Sequence, residues 1–172
     1  MTLITKEYRK LNEQLHTDKP SYGCGGHRWH DTVIELVDNY KTVDVLDYGS
    51  GKGTLAKSLD FVISEYDPCV SAVSYPKRPH DIVICTDVLE HIEPECIDAV
   101  IADIAKSTLV VALLVISIRP AKKTLPDGRN AHLIIEDAKW WTDMISDYFV
   151  SIRETTTSQD GEVALICEAK QC

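Results

Sequence analysis

Apolar residues recur at helical spacing twice near the start of the chain, first Ile4, Tyr8, Leu11 and Leu15, then Trp29, Val33, Leu36, Val37 and Tyr40. Each stripe gives one apolar face, so two amphipathic helices are expected. Between them, KPSYGCGGHRWH carries Pro20, Gly23, Gly25 and Gly26, which predicts a mobile loop without regular structure. After Thr42 the texture changes. TVDVLDYG predicts a short buried strand, GKGTLAKSL a glycine-led helix start, and FVISEYD a second strand. A connection holding Pro76 and Pro79 leads to a third strand, DIVICTD. In PECIDAVIADIAK, Pro94 suits a first helical turn, and Ile97, Val100, Ile101 and Ile104 share a face. TLVVALLVIS is almost wholly apolar, the pattern of a central parallel strand covered on both sides. RPAKKTLPDGRNAH predicts a loop, and EDAKWWTDMISDYF a helix with Trp140, Trp141, Met144, Ile145 and Tyr148 as its apolar positions. The tail predicts two strands, FVSIRETTT and EVALICEAK, joined by SQDG with its turn at Asp160-Gly161.

Strands alternating with helices imply right-handed βαβ units. The expected fold is therefore α/β, a three-layer sandwich with a mostly parallel sheet, an antiparallel last strand and a helical N-terminal cap. At 172 residues, one domain spans the chain, with a cap and lid loop over 1–41 and the α/β core over 42–172. The 18 basic against 27 acidic residues, a net charge of −9, argue against a broad nucleic-acid-binding face. A local basic loop is still allowed. The longest apolar run, Leu109 to Ile116, falls far short of the ~20 residues that cross a bilayer, and MTLITKEYRK has no signal-peptide core. A cytoplasmic protein with no membrane partner is expected. Cysteines 24, 69, 85, 96, 167 and 172 are scattered without a CxxC pair, so reduced thiols are expected, several of them core residues such as Cys85 and Cys167.

The segment richest in chemistry is VLDYGSGKGTLA, residues 45–56. Gly49, Gly51 and Gly53 follow a strand and let the backbone turn sharply and a ligand approach where a Cβ would stand. The second strand ends in Glu65-Tyr66-Asp67-Pro68, and an acid at that place can accept hydrogen bonds from both hydroxyls of a ribose. Strand, loop and acid together point to a nucleoside-cofactor site; the plainer alternative is a tight turn with Asp67 capping the next segment. GSGKGT matches neither a Walker loop nor G-x-G-x-x-G.

The G-x-G-x-G form with Asp47 just before it resembles the class I S-adenosylmethionine-dependent methyltransferases, whose fold is Rossmann-like. LDYGSGKG looks like that family's first motif, EYDP like its ribose-binding acid, and DIVICTDVLEHIEPE like the strand and loop that hold the methionine end. The resemblance covers residues 43–118, and the remainder in architecture only. It implies S-adenosylmethionine as cofactor (S-adenosylhomocysteine as product), with Asp47, Gly49, Gly51, Gly53 and Asp67 around it, Thr86 and Asp87 beside the methionine moiety, and Leu89 walling the site. One departure is expected: CVSAVSYPKRPH is too short for the family's usual crossover helix plus strand, so the sheet should lack one edge strand.

Two readings compete for Glu90 and His91. In small-RNA 2′-O-methyltransferases and ubiquinone-pathway O-methyltransferases a similar acid-x-x-Glu-His cluster holds a divalent ion, and Asp87, Glu90, His91 and His132 could imitate that set. The preferred reading has no metal, with Leu-Glu-His opening the next helix. Cys24, His27 and His30 form C-x-x-H-x-x-H without a nearby fourth ligand, which fits a hydrogen-bonded lid better than a metal site. Methyl transfer from a sulfonium needs proximity and, for some acceptors, a base. His132 and His27 are the candidate catalytic residues. Tyr22, Arg129, Asn130 and Trp140 are candidates for holding the substrate, with PDGRNAH also readable as a solvated turn and Trp140 as core.

The expected function is methyl transfer from S-adenosylmethionine to a small-molecule or nucleotide-like acceptor. Two alternatives stand beside it, a metal-assisted O-methyltransferase acting on nucleic acid and a non-catalytic cofactor-binding partner subunit.

Overall fold

The computed structural model describes residues 2–73, 78–155, 157 and 159–170; Pro76, Ser158 and Cys172 of the sequence-based expectations lie outside them. In chain order the elements are α1 (Lys6–Asp18), α2 (His30–Tyr40), β1 (Val45–Tyr48), β2 (Ser64–Tyr66), β3 (His80–Thr86), α3 (Ile97–Ser107), β4 (Thr108–Ser117), α4 (Ala138–Ser146), β5 (Phe149–Thr155) and β6 (Glu162–Ala169). The sheet runs β2-β1-β3-β4-β6-β5. β1 pairs in parallel with β2 and β3, β3 with β4, and β6 lies antiparallel between β4 and β5. Beyond β2 the described residues add no further strand, as the short connection before β3 implied.

Strand alternation splits the core into two faces. Leu46, Val83, Cys85, Ala112, Leu114 and Ile116 face α3 and α4 through Val100, Ile101, Ile104, Trp141 and Ile145. Val45, Ile82, Ile84, Val111, Leu113 and Val115 face the opposite layer, where α2 contributes Val33 and Leu36 and Trp29 closes the end. This is why β3 and β4 read as unbroken apolar runs. α2 is thus a layer of the sandwich. α1 instead packs Tyr8 and Leu15 against Leu125 of the loop after β4. It is docked by Thr5, whose backbone N–H and hydroxyl donate to Glu93 (2.9 and 2.6 Å), and by the Tyr8 hydroxyl, which donates to the His91 carbonyl at 2.5 Å.

Two local expectations are corrected. GKGTLAKSL forms no α-helix; turns lead into one 3-10 turn, Ala56–Ser58. Gly51 and Gly53 hold φ of +54° and +64°, which no right-handed helix accepts, so no helix starts at the glycines. The lid loop, expected to be irregular throughout, contains a 3-10 turn at Gly26–Trp29, held by Trp29, which is 6% exposed.

Candidate functional site

At the carboxyl ends of β1, β2, β3 and β4 lies a cavity of about 570 Å³. Parallel α/β sheets place ligands at this edge, because successive strand ends and their loops converge there. Its first wall is the loop after β1. Gly49 and Ser50 donate their backbone N–H groups to the Tyr66 carbonyl at 2.7 and 3.1 Å, and Gly51 donates to Asp67 Oδ2 at 3.0 Å. A Cβ on Gly49 would stand 2.3 Å from Val88 Cγ2, and one on Gly51 2.6 Å from the Gly23 carbonyl oxygen. Lys52 donates its backbone N–H to that same carbonyl at 2.9 Å, and its Nζ to the Pro20 carbonyl at 2.7 Å. The lid is therefore stitched directly onto the glycine loop.

Asp67 is buried, with Oδ1 accepting from the Cys69 N–H at 2.8 Å and Oδ2 from Gly51. A carboxylate offers about four lone-pair positions, so capacity remains for hydroxyl donors. Beneath it, burial and then the charges of Glu65 and Asp67 push the Asp47 carboxyl up to about 7. A concave surface rich in carboxylates suits a ligand that brings hydroxyl donors or positive charge.

The opposite wall comes from the loop after β4 and the 3-10 turn Leu89–His91. The Leu133 and Ile134 N–H groups both donate to the Glu90 carbonyl, at 2.8 and 3.1 Å, which draws the two segments together. His91 Nδ1–H donates to the Ala131 carbonyl at 2.7 Å, and His132 Nδ1–H to the Arg119 carbonyl at 2.6 Å. A carbonyl can only accept, so each bond fixes the tautomer and leaves Nε2 with its lone pair. The rings stand edge to face, 4.7 Å between centroids. Burial, with the neighbouring His132, holds His91 down to about 3, and burial lowers His132 as well. Glu90 accepts from the Ser117 N–H at 3.1 Å, and burial followed by the Asp87 charge raises it to about 8. At neutral pH the trio is uncharged.

Buried side-chain atoms without a hydrogen-bond partner gather around this cavity: Asn12 Oδ1, His16 Nδ1, Ser50 Oγ, Ser117 Oγ and Glu162 Oε2 all belong to residues that line it. Buried polar groups are normally paired, so such a concentration marks a place that takes a polar ligand.

Comparison with solved structures gives the same architecture. The chain superposes with a TM-score of 0.63 on magnesium protoporphyrin IX methyltransferase from Synechocystis PCC 6803 with bound S-adenosylmethionine, at 19% identity over 99% of this chain and 100% of that one. This is the class I methyltransferase fold. The 1,6-didemethyltoxoflavin-N1-methyltransferase of Burkholderia thailandensis, with its substrate and S-adenosylhomocysteine bound, aligns over 100% of this chain and 93% of its own at 13% identity and a TM-score of 0.60. An O-methyltransferase family protein from the same organism gives a TM-score of 0.65 at 13% identity over 99% of this chain, which spans 64% of its length. No family model and no curated protein matches the sequence. The likeness is carried by the methyltransferase fold.

Of the residues singled out from the sequence, Asp47, Gly49, Gly51, Asp67, Thr86, Asp87, Tyr22 and His132 line the cavity. Others lie apart from its lining. Gly53 is a structural turn whose Cβ would meet Glu65 Oε1 at 2.4 Å, and Leu89 is wholly buried in the core. His27 is exposed, with Nδ1–H donating to the Cys24 carbonyl at 3.0 Å, so it is set aside as a base. Arg129 pairs with Asp127 at 2.8 Å on the surface. Asn130 braces its own loop, its Oδ1 accepting from the Ala121 and His132 N–H groups, both at 2.9 Å. Trp140 leans edge-on against the wholly buried Trp141 as partial core.

The runner-up metal set is corrected to three members. Ligand atoms of Glu90, His91 and His132 lie within 4.8 Å of one another, whereas Asp87 is taken by Arg28 at 2.7 Å. Sequence reasoning also missed Asn12, His16 and Glu162. The first two sit on the flank of α1, where only the docking of that helix turns a polar side into a cavity wall.

Proposed function

We propose that the chain is an S-adenosylmethionine-dependent methyltransferase acting on a small-molecule or nucleotide-like acceptor. The observation that carries this is one cavity with two chemically distinct walls, a glycine and carboxylate cradle facing a pair of tautomer-fixed neutral imidazoles. Gly49, Gly51 and Asp67 would hold the nucleoside, with Thr86 and Asp87 at the amino-acid end. When bound, this cofactor supplies an electrophilic methyl carbon on a sulfonium.

His132 then acts on the acceptor side. Its Nε2 lone pair accepts the acceptor's O–H or N–H proton while Nδ1–H stays on the Arg119 carbonyl, which orients the ring. Tyr22 forms part of the wall, edge to face with His91 at 5.9 Å and beneath Lys123 Nζ at 5.2 Å. The 1,6-didemethyltoxoflavin bound in the similar Burkholderia methyltransferase supports the small-molecule half of this reading. Calorimetry with S-adenosylhomocysteine, and transfer of labelled methyl groups to small molecules, extracts and nucleic acids, test it. We expect binding and label in small molecules. Label in nucleic acid alone would replace the acceptor class, and binding with no transfer would leave a partner subunit.

A second reading rests on the convergence of Glu90, His91 and His132, whose two Nε2 lone pairs and unpartnered Glu90 Oε2 could hold a divalent cation that polarises the acceptor hydroxyl. Asp87, the fourth member of the expected set, is held by Arg28 at 2.7 Å, which favours the metal-free reading. Turnover that survives exhaustive chelation, with a melting temperature indifferent to magnesium or manganese, is the expected result. Silencing by a chelator with rescue by either ion promotes the metal.

A further inference from the structure

We infer that the methyl acceptor carries an anionic group, a carboxylate or a phosphate, which Lys123 receives while His132 faces the group to be methylated; this names the substrate class within the proposed function and rests on it. The carboxylates of the cavity lining lie away from this lysine's end of it. Asp47 and Asp67 belong to the glycine cradle, and Asp87 and Glu162 share Arg28 at 2.7 and 3.5 Å. Arg119, Lys122 and Lys123, which open the loop after β4, are the other cations of the lining. Arg119 lowers Glu162 by its charge, and its Nη2 donates to Gln159 Oε1 at 3.2 Å. Neither lysine forms an ion pair or donates a side-chain hydrogen bond among the described residues. Lys122 is exposed, whereas Lys123 is half-buried with Nζ 5.2 Å from the centre of the Tyr22 ring. A ring face holds an ammonium without neutralising it. Burial lowers both His16 and His91, and the Lys123 charge pushes them the same way, so the lysine stands among neutral imidazoles. A partly desolvated cation with no acid to pair with is costly until a ligand brings the counter-charge.

The loop itself fixes this cation relative to the base. The Asn130 amide accepts from the Ala121 N–H and donates to the Ala121 carbonyl, both at 2.9 Å, and the Ala131 N–H donates to the Lys123 carbonyl at 3.0 Å. Thr124 and Asn130 form an antiparallel bridge, and the buried Leu125 packs against Tyr8 and Leu15 of α1. The His132 ring is tied to the Arg119 carbonyl at the root of the same loop. Residues 119–132 are therefore a braced hairpin that presents Lys123 and His132 to one cavity. Tyr22, His91 and His132 follow one another edge to face, at 5.9 and 4.7 Å between centroids. A flat acceptor lying along this row meets the ammonium at one end and the His132 Nε2 lone pair at the other.

The experiment first loads the protein with S-adenosylhomocysteine, which closes the nucleoside cradle to other ligands. It then titrates matched probes by calorimetry, salicylate against salicylamide and adenosine monophosphate against adenosine. In one pair or both, the anion should bind ~10-fold tighter than its neutral partner, the scale of a charge-assisted contact to a half-buried lysine. The pair that shows the preference tells carboxylate from phosphate. Lys123→Met should abolish the preference while S-adenosylhomocysteine affinity stays within ~2-fold, and Lys123→Arg should keep it. Lys106→Met, on the exposed side of α3, should leave it unchanged. No preference in either pair would overturn the inference, and so would a preference that survives Lys123→Met. A wild type that does not bind S-adenosylhomocysteine would instead bring down the proposed function itself.

Discussion

The two walls of the cavity are built by opposite means. The cradle around Gly49 to Gly51 is made within about twenty residues of chain, by positive-φ glycines and backbone donors, and the side chain that accepts from it, Asp67, follows the end of the neighbouring strand. The facing wall joins His91 to His132, forty-one residues apart in sequence, through carbonyls of Ala131, Arg119 and Glu90. On the proposed function, the wall made of backbone conformation should fail by steric exclusion and affect binding, and the wall made of oriented side chains should fail by loss of a lone pair and affect chemistry.

The largest effect should come from the cradle. Gly51→Val puts a branched carbon where the Gly23 carbonyl stands at 2.6 Å and forces a positive φ on a β-branched residue. S-adenosylhomocysteine binding should drop by more than ~100-fold with a native circular-dichroism spectrum, and retained binding would place the cofactor elsewhere. His132→Ala attacks the other wall. It should lower turnover by ~100-fold or more while S-adenosylhomocysteine affinity stays within ~2-fold, a split that steady-state kinetics beside calorimetry resolves. Equal loss of both would erase the distinction between the walls.

Asp67→Ala should weaken S-adenosylhomocysteine by ~1.5–3 kcal/mol, since the same carboxylate both accepts the Gly51 N–H and would accept the ribose hydroxyls. Unchanged affinity in a folded variant would reduce Asp67 to a loop brace. The smallest effect is on stability. Asp47 is raised by burial to about 7, so the folded protein holds its proton more tightly than the unfolded chain does. Stability from this group is full below the ordinary carboxylate range and is lost as pH rises toward 7. Asp47→Asn should flatten the decline between about pH 4 and 7 by ~1–2 kcal/mol, read from denaturant midpoints across that range. An identical slope in the variant would show that Asp47 titrates normally.

Local patterns determined which segments are strands, the burial of the central ones and the glycine turn. Apolar periodicity at Ile97, Val100, Ile101 and Ile104, and the unbroken run of β4, survive any tertiary arrangement because they express burial on one face or both. The glycines with Asp67 were legible for the same reason: φ sign and strand-end position are properties of a short stretch of chain. The glycine-led helix start failed because Gly51 and Gly53 hold positive φ and serve the turn.

Only the tertiary structure decided what the glycine cradle faces. His27 and Arg129 had the right chemistry yet point to solvent or to Asp127, while Asn12, His16 and Glu162 carried no pattern and line the cavity. Likewise, His91 and His132 became a pair through backbone hydrogen bonds between remote segments, and Arg28 met Asp87 and Glu162 across separations of 59 and 134 residues. Sequence periodicity records which side of an element is buried. It holds no information about which distant side chain a loop is carried to, because that depends on how the packed layers set the loop ends in space.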